Sequence, residues 1–395
     1  MQTNKDERLG RVWRASRSYF AALLIFLVSR LIVALAIFFS ANFVTRVPGD
    51  IFTDVSPRWY RYLLRWDAGW YLKIAREGYT YNGNDLVQQP VVFFPLYPLL
   101  SKVVAYVSGV SEGAALLIVS NLAAVVAILL LFKLISEDHD ALTALGAVAA
   151  LCFFPTSFFF SAGYTESLAV LLIVTFFLLL NRKRYLLAAL CVGLMMATRM
   201  SGVILCLPLV FEIWRQYGRD FKRVIPLSAA CLGLATSGLW LYATYLWAAF
   251  GKPLAFMTDM RAWREGTAIG AELFQALTLQ PFRHLADIRN FGPDANTLSP
   301  WLFLLFLVLI VIFRKWISAS MFIYALAALL FPYLTLSASV GFVSFARYLL
   351  LAVPAFIIIG KLFRKRVWLG FSLIALSAGM LFMYAAFYSQ WYWAG

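Results

Sequence analysis

The first long apolar stretch of the chain covers residues 20–42 and reads FAALLIFLVSRLIVALAIFFSAN. A helix needs about 20 mostly apolar residues to cross a membrane, because each residue adds about 1.5 Å to its length. Residues 20–42 meet this requirement and carry a single charge, Arg30. The stretch is therefore predicted to be a transmembrane helix.

The whole chain has the composition of a membrane protein. Of its 395 residues, 63% are hydrophobic and 13% are charged, whereas soluble proteins average about 45–50% apolar and about 25% charged residues. We count eleven candidate spans, at roughly 20–42, 113–135, 141–160, 165–181, 185–198, 201–214, 226–250, 300–314, 317–336, 345–361 and 367–389. The sequence predicts an all-α polytopic membrane protein, with one transmembrane domain over 20–395 after a basic N-terminal segment, 1–19.

Two segments allow more than one interpretation. The stretch 185–214 is basic at both ends, so it needs an even number of crossings, and we predict a hairpin that turns at Thr198–Gly202. One longer, kinked helix is the alternative. Residues 91–108 are apolar but contain two prolines and Lys102, so we interpret them as interfacial or re-entrant.

Basic residues predict the orientation. The segment before the first span is basic, and the positive-inside rule places it in the cytoplasm. With spans counted alternately, the short basic turns fall on the same side, at 182–184, 215–223, 314–315 and 361–366. Two longer segments, 43–112 and 251–299, then lie outside. The net charge of +15 is sorted by membrane side, so it indicates contacts with anionic lipids and not with nucleic acid.

The first external segment contains the sequence Arg65-Trp66-Asp67-Ala68-Gly69-Trp70-Tyr71. A carboxylate beside a bilayer is too costly to be placed there for packing alone, so Asp67 is a candidate for chemistry. Basic residues recur near helical spacing beside an aromatic stripe, which predicts an interfacial helix. On an unbroken helix Asp67 lies about half a turn from Arg58, Arg65 and Arg76. Either Gly69 marks a break in this helix, or the basic side chains that would bind phosphate beside Asp67 belong to other parts of the chain.

Four further ionisable residues lie in apolar spans or at their ends: Arg30, Glu166, Arg199 and Arg347. Such residues are rare in membranes and usually face an interior cavity. In the predicted topology, Glu166, Arg199 and Arg347 lie toward the external side with Asp67. They either line a site there, or Glu166 pairs with one arginine to hold helices together. Arg30 lies nearer the middle of the membrane and is interpreted as structural.

Signatures of soluble enzymes are absent from the sequence. It has no Gly-rich phosphate loop, no HExxH and no CxxC motif. The four cysteines fall within apolar spans and are predicted to be buried free thiols. His139 and His284 cannot form a metal site alone. We therefore expect no cofactor and find no indication of a divalent metal.

A succession of short motifs resembles the PIG-V mannosyltransferases, which are relatives of GPI mannosyltransferase 2 in the GT-C class. The motifs are Trp66-Asp67, the pattern Tyr71 to Tyr79, Phe93-Phe94-Pro95, Phe154 to Ser157, Tyr164 to Ser167, Ala197 to Gly202, and Arg347-Tyr348. The resemblance covers about residues 20–360, and the short connecting loops are more similar to the prokaryotic members. It implies a GT-C-like bundle in a bacterial plasma membrane, with the active site on the external face.

The resemblance also implies an activity. The expected reaction transfers a hexose, with mannose as the first candidate, from a polyprenyl-phosphate-sugar to a hydroxyl of a lipid-linked or glycan acceptor. One carboxylate base is enough for inversion, a role expected of Asp67. Arg199 and Arg347, with Arg65 as a third candidate, would bind the donor phosphate, because a guanidinium pairs bidentately with phosphate oxygens. The expected substrate-binding residues are Trp66, Tyr71, Phe94, Tyr164, Glu166 and Tyr348.

A carrier or lipid flippase is the alternative function. Many spans, charges at membrane level and aromatic belts would suit a carrier as well. A carrier's site is expected near the middle of the bilayer, between broken helices. Asp67 lies outside that zone on sequence grounds, and no internal repeat is evident, so the transferase is favoured.

Overall fold

The computed structural model describes residues 2–47, 59–263, 269–282, 298–340, 342 and 344–394. Over these residues the regular secondary structure is helical, which confirms the all-α prediction. The α-helices are α1 (Gln2–Phe43), α2 (Asp67–Glu77), α3 (Leu96–Ser108), α4 (Glu112–Ser136), α5 (Ala141–Cys152), α6 (Glu166–Asn181), α7 (Tyr185–Met196), α8 (Cys206–Tyr217), α9 (Phe221–Ala235), α10 (Ser237–Phe250), α11 (Ala255–Thr258), α12 (Ile269–Leu277), α13 (Ser299–Ile312), α14 (Ala319–Val340), α15 (Phe345–Tyr348), α16 (Val353–Lys365) and α17 (Val367–Ser389).

In the described part of the chain, the helices with the length and composition of a membrane span are fewer than the eleven predicted spans. Among the described residues, three helices are long and apolar enough to cross a membrane: Ser16–Phe43, Glu112–Ser136 and Val367–Ser389. Two bent pairs raise this number to five, because α9 and α10 meet at 46° and Phe345–Leu351 meets α16 at 78°. Each predicted span contains helix, but several are shorter segments of 10–17 residues. Breaks in the helices, which periodicity does not reveal, account for the difference.

The predicted span 141–160 shows how such a break is stabilised. α5 ends at Cys152, and a short 3-10 helix, Ser157–Phe160, follows. A carbonyl inside an apolar bundle needs a hydrogen-bond donor. The Arg30 guanidinium donates to the carbonyl oxygens of Cys152 at 3.1 Å and Ser157 at 2.6 Å. These contacts agree with the structural role predicted for Arg30.

The chain reverses direction between α7 and α8. Arg199 has extended backbone angles, and a 3-10 helix over Met200–Leu205 leads into α8. A Cβ atom on Gly202 would lie 2.8 Å from the Met196 nitrogen, so the returning chain is packed directly against the end of α7. The predicted hairpin, and not the single kinked helix, is therefore present. The turn leaves Arg199 outside any regular helix.

Over its described residues, the segment 43–112, which is predicted to be external, is not one helix. A 3-10 helix, Trp59–Leu63, is followed by a break at 64–66, and α2 begins at Asp67. Gly69 lies within α2, so the break proposed at Gly69 is wrong in position. Most of α2 is buried. The predicted contribution of Arg58 to this segment lies outside the described residues.

Helices α5 and α16 approach each other closely at two glycines. A Cβ atom on Gly360 would lie 2.4 Å from the carbonyl oxygen of Thr143 and 2.7 Å from the nitrogen of Ala147. The Gly146 Cβ position lies 3.3 Å from the Gly360 Cα atom. Small residues allow helix backbones to pack closely in membranes, where contact energy depends on van der Waals packing.

We expect Gly360→Ala to destabilise the bundle. The added methyl group overlaps backbone atoms of α5 that cannot move aside separately, and such overpacking costs about 1–3 kcal/mol. Gly379→Ala is the matched control, since nothing lies within 4 Å of its Cβ position in α17. Thermal unfolding of both purified variants in detergent measures the difference. Equal midpoints for the two variants would contradict close packing at Gly360.

Candidate active site

A strained residue separates Asp67 from the preceding 3-10 helix. Trp66 has a φ of 53° and a ψ of −124°. A bulky residue in this region of backbone space costs about 1–3 kcal/mol and is found mostly at functional sites. The turn places Asp67 in the first turn of α2, where the positive end of the helix dipole stabilises a carboxylate.

Four ionised side chains from four parts of the chain form one network. The Arg347 Nη1 atom lies 2.7 Å from the Asp67 Oδ2 atom, and its Nε atom lies 3.4 Å from the Glu166 Oε1 atom. The same Glu166 oxygen lies 2.5 Å from the Arg199 Nη1 atom. The order is therefore Asp67, Arg347, Glu166, Arg199. Two cations and two anions balance, so the network carries no net charge.

The members of this network differ in exposure. The side chains of Glu166 and Arg347 are 1% and 7% exposed, whereas those of Arg199 and Asp67 are 13% and 20% exposed. The centre of the network is thus closed to solvent, and its two ends are open. The Glu166 Oε2 atom has no hydrogen-bond partner among the described residues. Asp67 and Arg199 are the members that a ligand can reach first.

Aromatic rings enclose the two guanidinium groups. The ring centre of Tyr348 lies 5.1 Å from the Arg199 Cζ atom and 5.3 Å from the Arg347 Cζ atom. Tyr164 lies 5.2 Å from the Arg347 Cζ atom, and its hydroxyl donates to the carbonyl oxygen of Arg65 at 3.2 Å. Aromatic faces stabilise desolvated cations at such distances. The rings therefore stabilise the two guanidinium groups and add no negative charge.

The network lines part of a cavity of about 650 Å³. The rest of the wall is largely apolar. One side consists of Tyr324, Ala328 and Phe331 along α14, and further apolar residues line the wall, among them Met195, Ile204 and Leu205. Residues Tyr324 to Thr335 all belong to α14, which rises about 16 Å over that length. A cavity of this kind suits a ligand with a charged head and an apolar chain.

Two polar contacts join the two segments that are predicted to be external. The Gln89 side chain donates to the Asp259 Oδ2 atom at 3.2 Å, and Arg261 lies 3.2 Å from the Asp85 Oδ2 atom. Burial, together with repulsion from Asp85, raises the pKa of Asp259 to about 6. Because ionisation of Asp259 is disfavoured in the folded state, protonation below about pH 6 favours the fold at this position.

Nine of the ten predicted site residues line the cavity, and the exception is Arg65. The Arg65 Nε atom donates to the carbonyl oxygen of Ser389 at 3.2 Å, and its Cζ atom lies 4.8 Å from the Trp391 ring centre. The prediction that Arg65 belongs to the phosphate site is therefore not supported by its position. Because the helix is broken at Trp66, the side chains of Arg65 and Asp67 lie in different surroundings.

Sequence reasoning missed two tryptophans in the cavity wall, Trp263 and Trp393. Trp393 follows α17 in the sequence QWYWAG, a cluster of aromatic residues just beyond a span. That cluster was a usable signal. In the part of the chain that the structure describes, no group of three or more His, Cys, Asp and Glu residues could hold a metal ion.

Part of the chain matches one family of known proteins. Residues 88–248, less than half of the chain, match the family model of the dolichyl-phosphate-mannose-protein mannosyltransferases. None of the curated proteins compared with the chain matches it. Among solved structures, the chain is similar to the oligosaccharyltransferase of Archaeoglobus fulgidus, with 15% identity and a TM-score of 0.46. That match covers 92% of this chain and 53% of the other, so this chain spans about half its length.

The matched region contains Glu166 and Arg199 but neither Asp67 nor Arg347. The match therefore covers two of the four residues of the ion network. Asp67 and Arg347 meet these two residues only in the folded chain.

Glu166→Gln is expected to destabilise the protein strongly. Loss of the buried anion leaves two neighbouring guanidinium groups with one carboxylate, and breaking a buried pair costs about 3–5 kcal/mol. Glu137→Gln is the control, because Glu137 pairs with Arg182 while their side chains are 33% and 45% exposed. An exposed pair contributes about 0–1 kcal/mol. Unfolding in detergent measures both variants, and a similar small effect for each would show that Glu166 is not needed to hold the arginines.

Proposed function

We propose that this chain is a membrane glycosyltransferase of the GT-C type, and that it transfers a hexose from a polyprenyl-phosphate-sugar to a hydroxyl of a lipid-linked or glycan acceptor. Mannose is the first candidate for the hexose, and inversion at the anomeric carbon is the proposed stereochemistry. The observation that carries the proposal is the contact of Asp67 with Arg347 in the wall of a largely apolar cavity. The charged and apolar parts of this wall match the phosphate and the hydrocarbon chain of such a donor.

Asp67 is the proposed general base. As the acceptor oxygen bonds to the anomeric carbon, the Asp67 carboxylate takes the hydroxyl proton, and the bond from that carbon to the phosphate oxygen breaks. The electron pair of the broken bond stays on the phosphate. A phosphate leaves without prior protonation, so one carboxylate is enough. The exposed position of Asp67 in the cavity wall supports this role.

Arg347 and Arg199 are the proposed phosphate ligands. Without a donor, their charges are balanced by Asp67 and Glu166. A donor phosphate brings a further negative charge and competes with Asp67 for Arg347. When Arg347 turns to the phosphate, Asp67 is released to accept a proton. In this mechanism the donor binds first and thereby frees the base.

The apolar part of the cavity is the proposed site for the start of the polyprenyl chain. Tyr324, Ala328 and Phe331 face it from α14, and an isoprenoid gains free energy when it leaves water for such a surface. The ion network would hold the phosphate. In this proposal the transferred sugar lies beside Asp67.

The position of the cavity supports an active site on the external face of a bacterial plasma membrane. Glu166, at the start of α6, lines this cavity, whereas Asn181, at the end of α6, lines a second cavity of about 670 Å³ next to the basic turn 182–184. Lys315 also lines the second cavity. The ion network and the basic turn therefore lie at opposite ends of α6. Because basic turns favour the cytoplasm, we assign the ion network to the external side.

Asp67→Asn is expected to lower the rate of transfer by about 100- to 10,000-fold, because the amide keeps the shape of the side chain but cannot accept the proton. Donor binding and folding are expected to survive. Asp85→Asn is the control, since Asp85 belongs to the same external segment and pairs with Arg261. The measurement is transfer from polyprenyl-phosphate-mannose by purified protein. Near-normal transfer by folded Asp67→Asn would remove Asp67 from the role of base.

Arg199→Lys and Arg347→Lys are each expected to weaken donor binding although charge is preserved. A lysine ammonium cannot reproduce the planar, two-pronged contact of a guanidinium with phosphate. Binding of polyprenyl phosphate to the purified, folded variants measures the effect. Arg65→Lys tests the alternative phosphate site. Unchanged affinity in the first two variants, with a loss in Arg65→Lys, would move the phosphate to Arg65.

A further inference from the structure

Two indole rings stand beside the Asp67–Arg347 pair. The Trp393 ring centre lies 5.7 Å from the Arg347 Cζ atom. The Trp66 and Trp393 rings lie 5.2 Å apart and are nearly perpendicular, at 80°. Both residues line the cavity and both are partly exposed. The pair of rings, which we call the indole wall, therefore borders the place where the proposed base and phosphate ligand meet.

The segment 390–394 is held firmly enough to build such a wall. The Trp391 and Tyr392 nitrogens donate to the carbonyl oxygens of Tyr388 at 3.2 Å and Phe387 at 3.1 Å. Arg65 bonds to the carbonyl of Ser389 and packs on the Trp391 ring. This anchoring gives Arg65 a role: it fixes the segment that carries Trp393, so it acts at a distance from the cavity.

The chemistry of the wall suits a sugar. One face of a pyranose ring presents C–H groups, which pack on an aromatic surface, while its hydroxyl groups accept hydrogen bonds. The indole N–H groups of Trp66 and Trp393 are buried and have no hydrogen-bond partner among the described residues. A buried donor without a partner costs about 1–3 kcal/mol. A hydroxyl that reached either group would remove this cost.

A phosphate suits the wall poorly, because the face of an aromatic ring carries partial negative charge. A polyprenyl chain could pack on an indole ring, but it has no group to accept an N–H hydrogen bond. The apolar surface along α14 already serves such a chain. The wall therefore matches a sugar ring better than either of the other two parts of a donor.

We propose that Trp66 and Trp393 bind the pyranose ring that lies between Asp67 and Arg347 during transfer. This inference rests on the proposed function and adds to it the residues that recognise sugar. The ring belongs to the donor or to the acceptor, since both present the same C–H face and hydroxyl groups. Trp393 is the more informative of the two, because it is distant from Asp67 in sequence and can be changed without altering the strained backbone at Trp66.

The test compares Trp393→Leu with Trp391→Phe. Leucine keeps an apolar side chain but removes the aromatic face and the N–H group. Trp391 is the matched control, because it lies in the same segment and its N–H is also buried without a partner among the described residues, yet it is not part of the cavity wall. Affinity is measured for polyprenyl-phosphate-mannose and for polyprenyl phosphate, together with the KM for the acceptor.

If the wall binds the donor sugar, Trp393→Leu lowers affinity for polyprenyl-phosphate-mannose by roughly tenfold, as expected for one lost ring contact and one lost hydrogen bond. Affinity for polyprenyl phosphate stays unchanged, which also shows that the variant is folded. If the wall binds the acceptor sugar, the KM of the acceptor rises by a similar factor instead. Trp391→Phe keeps an aromatic ring for Arg65 to pack on and leaves all three quantities unchanged. Trp393→Phe, which keeps a ring, is expected to lose less than Trp393→Leu.

The inference is overturned if folded Trp393→Leu matches the wild-type protein in all three quantities, or if its affinity for both lipids falls equally. The second result would assign Trp393 to the lipid phosphate or the chain. Failure of the proposed function has a different signature. In that case the wild-type protein transfers no sugar from polyprenyl-phosphate-mannose and binds it no better than polyprenyl phosphate.

Discussion

The structure depends on one buried carboxylate. Glu166 is 1% exposed and lies between Arg199 and Arg347, which could not be held side by side in an apolar bundle without an anion. The three residues come from the start of α6, the turn before α8, and α15. Glu166 therefore joins parts of the chain that are distant in sequence, and it leaves Arg347 able to contact Asp67.

Breaks in the helices place these side chains. Trp66, Arg199 and the residues between α5 and α6 all lie where a helix stops within or beside the apolar bundle. An unpaired carbonyl is costly there, and Arg30 compensates for the break at Cys152. The same breaks explain why the full-length helices are fewer than the predicted spans. The shortened helices leave space for the cavity.

Most of the site was predictable because charge in a membrane is rare. Asp67, Glu166, Arg199 and Arg347 stood out in apolar surroundings, and all four line one cavity. Their roles in catalysis stay predictions. The misplaced residue is Arg65, two positions from Asp67 and yet packed on Trp391. Its neighbour Trp66 has a positive φ, and a single unusual backbone angle has no signature in sequence periodicity.

The sequence by itself determined the class of the protein, the approximate helical segments and the set of charged residues that need partners. Those properties follow from the cost of polar groups in hydrocarbon, which depends on residue type. Only the tertiary structure decided which charges meet, where helices break, and that Trp393 lies beside Arg347. These features depend on packing between segments far apart in sequence, because backbone strain and ion pairing are settled only when neighbouring segments are in place.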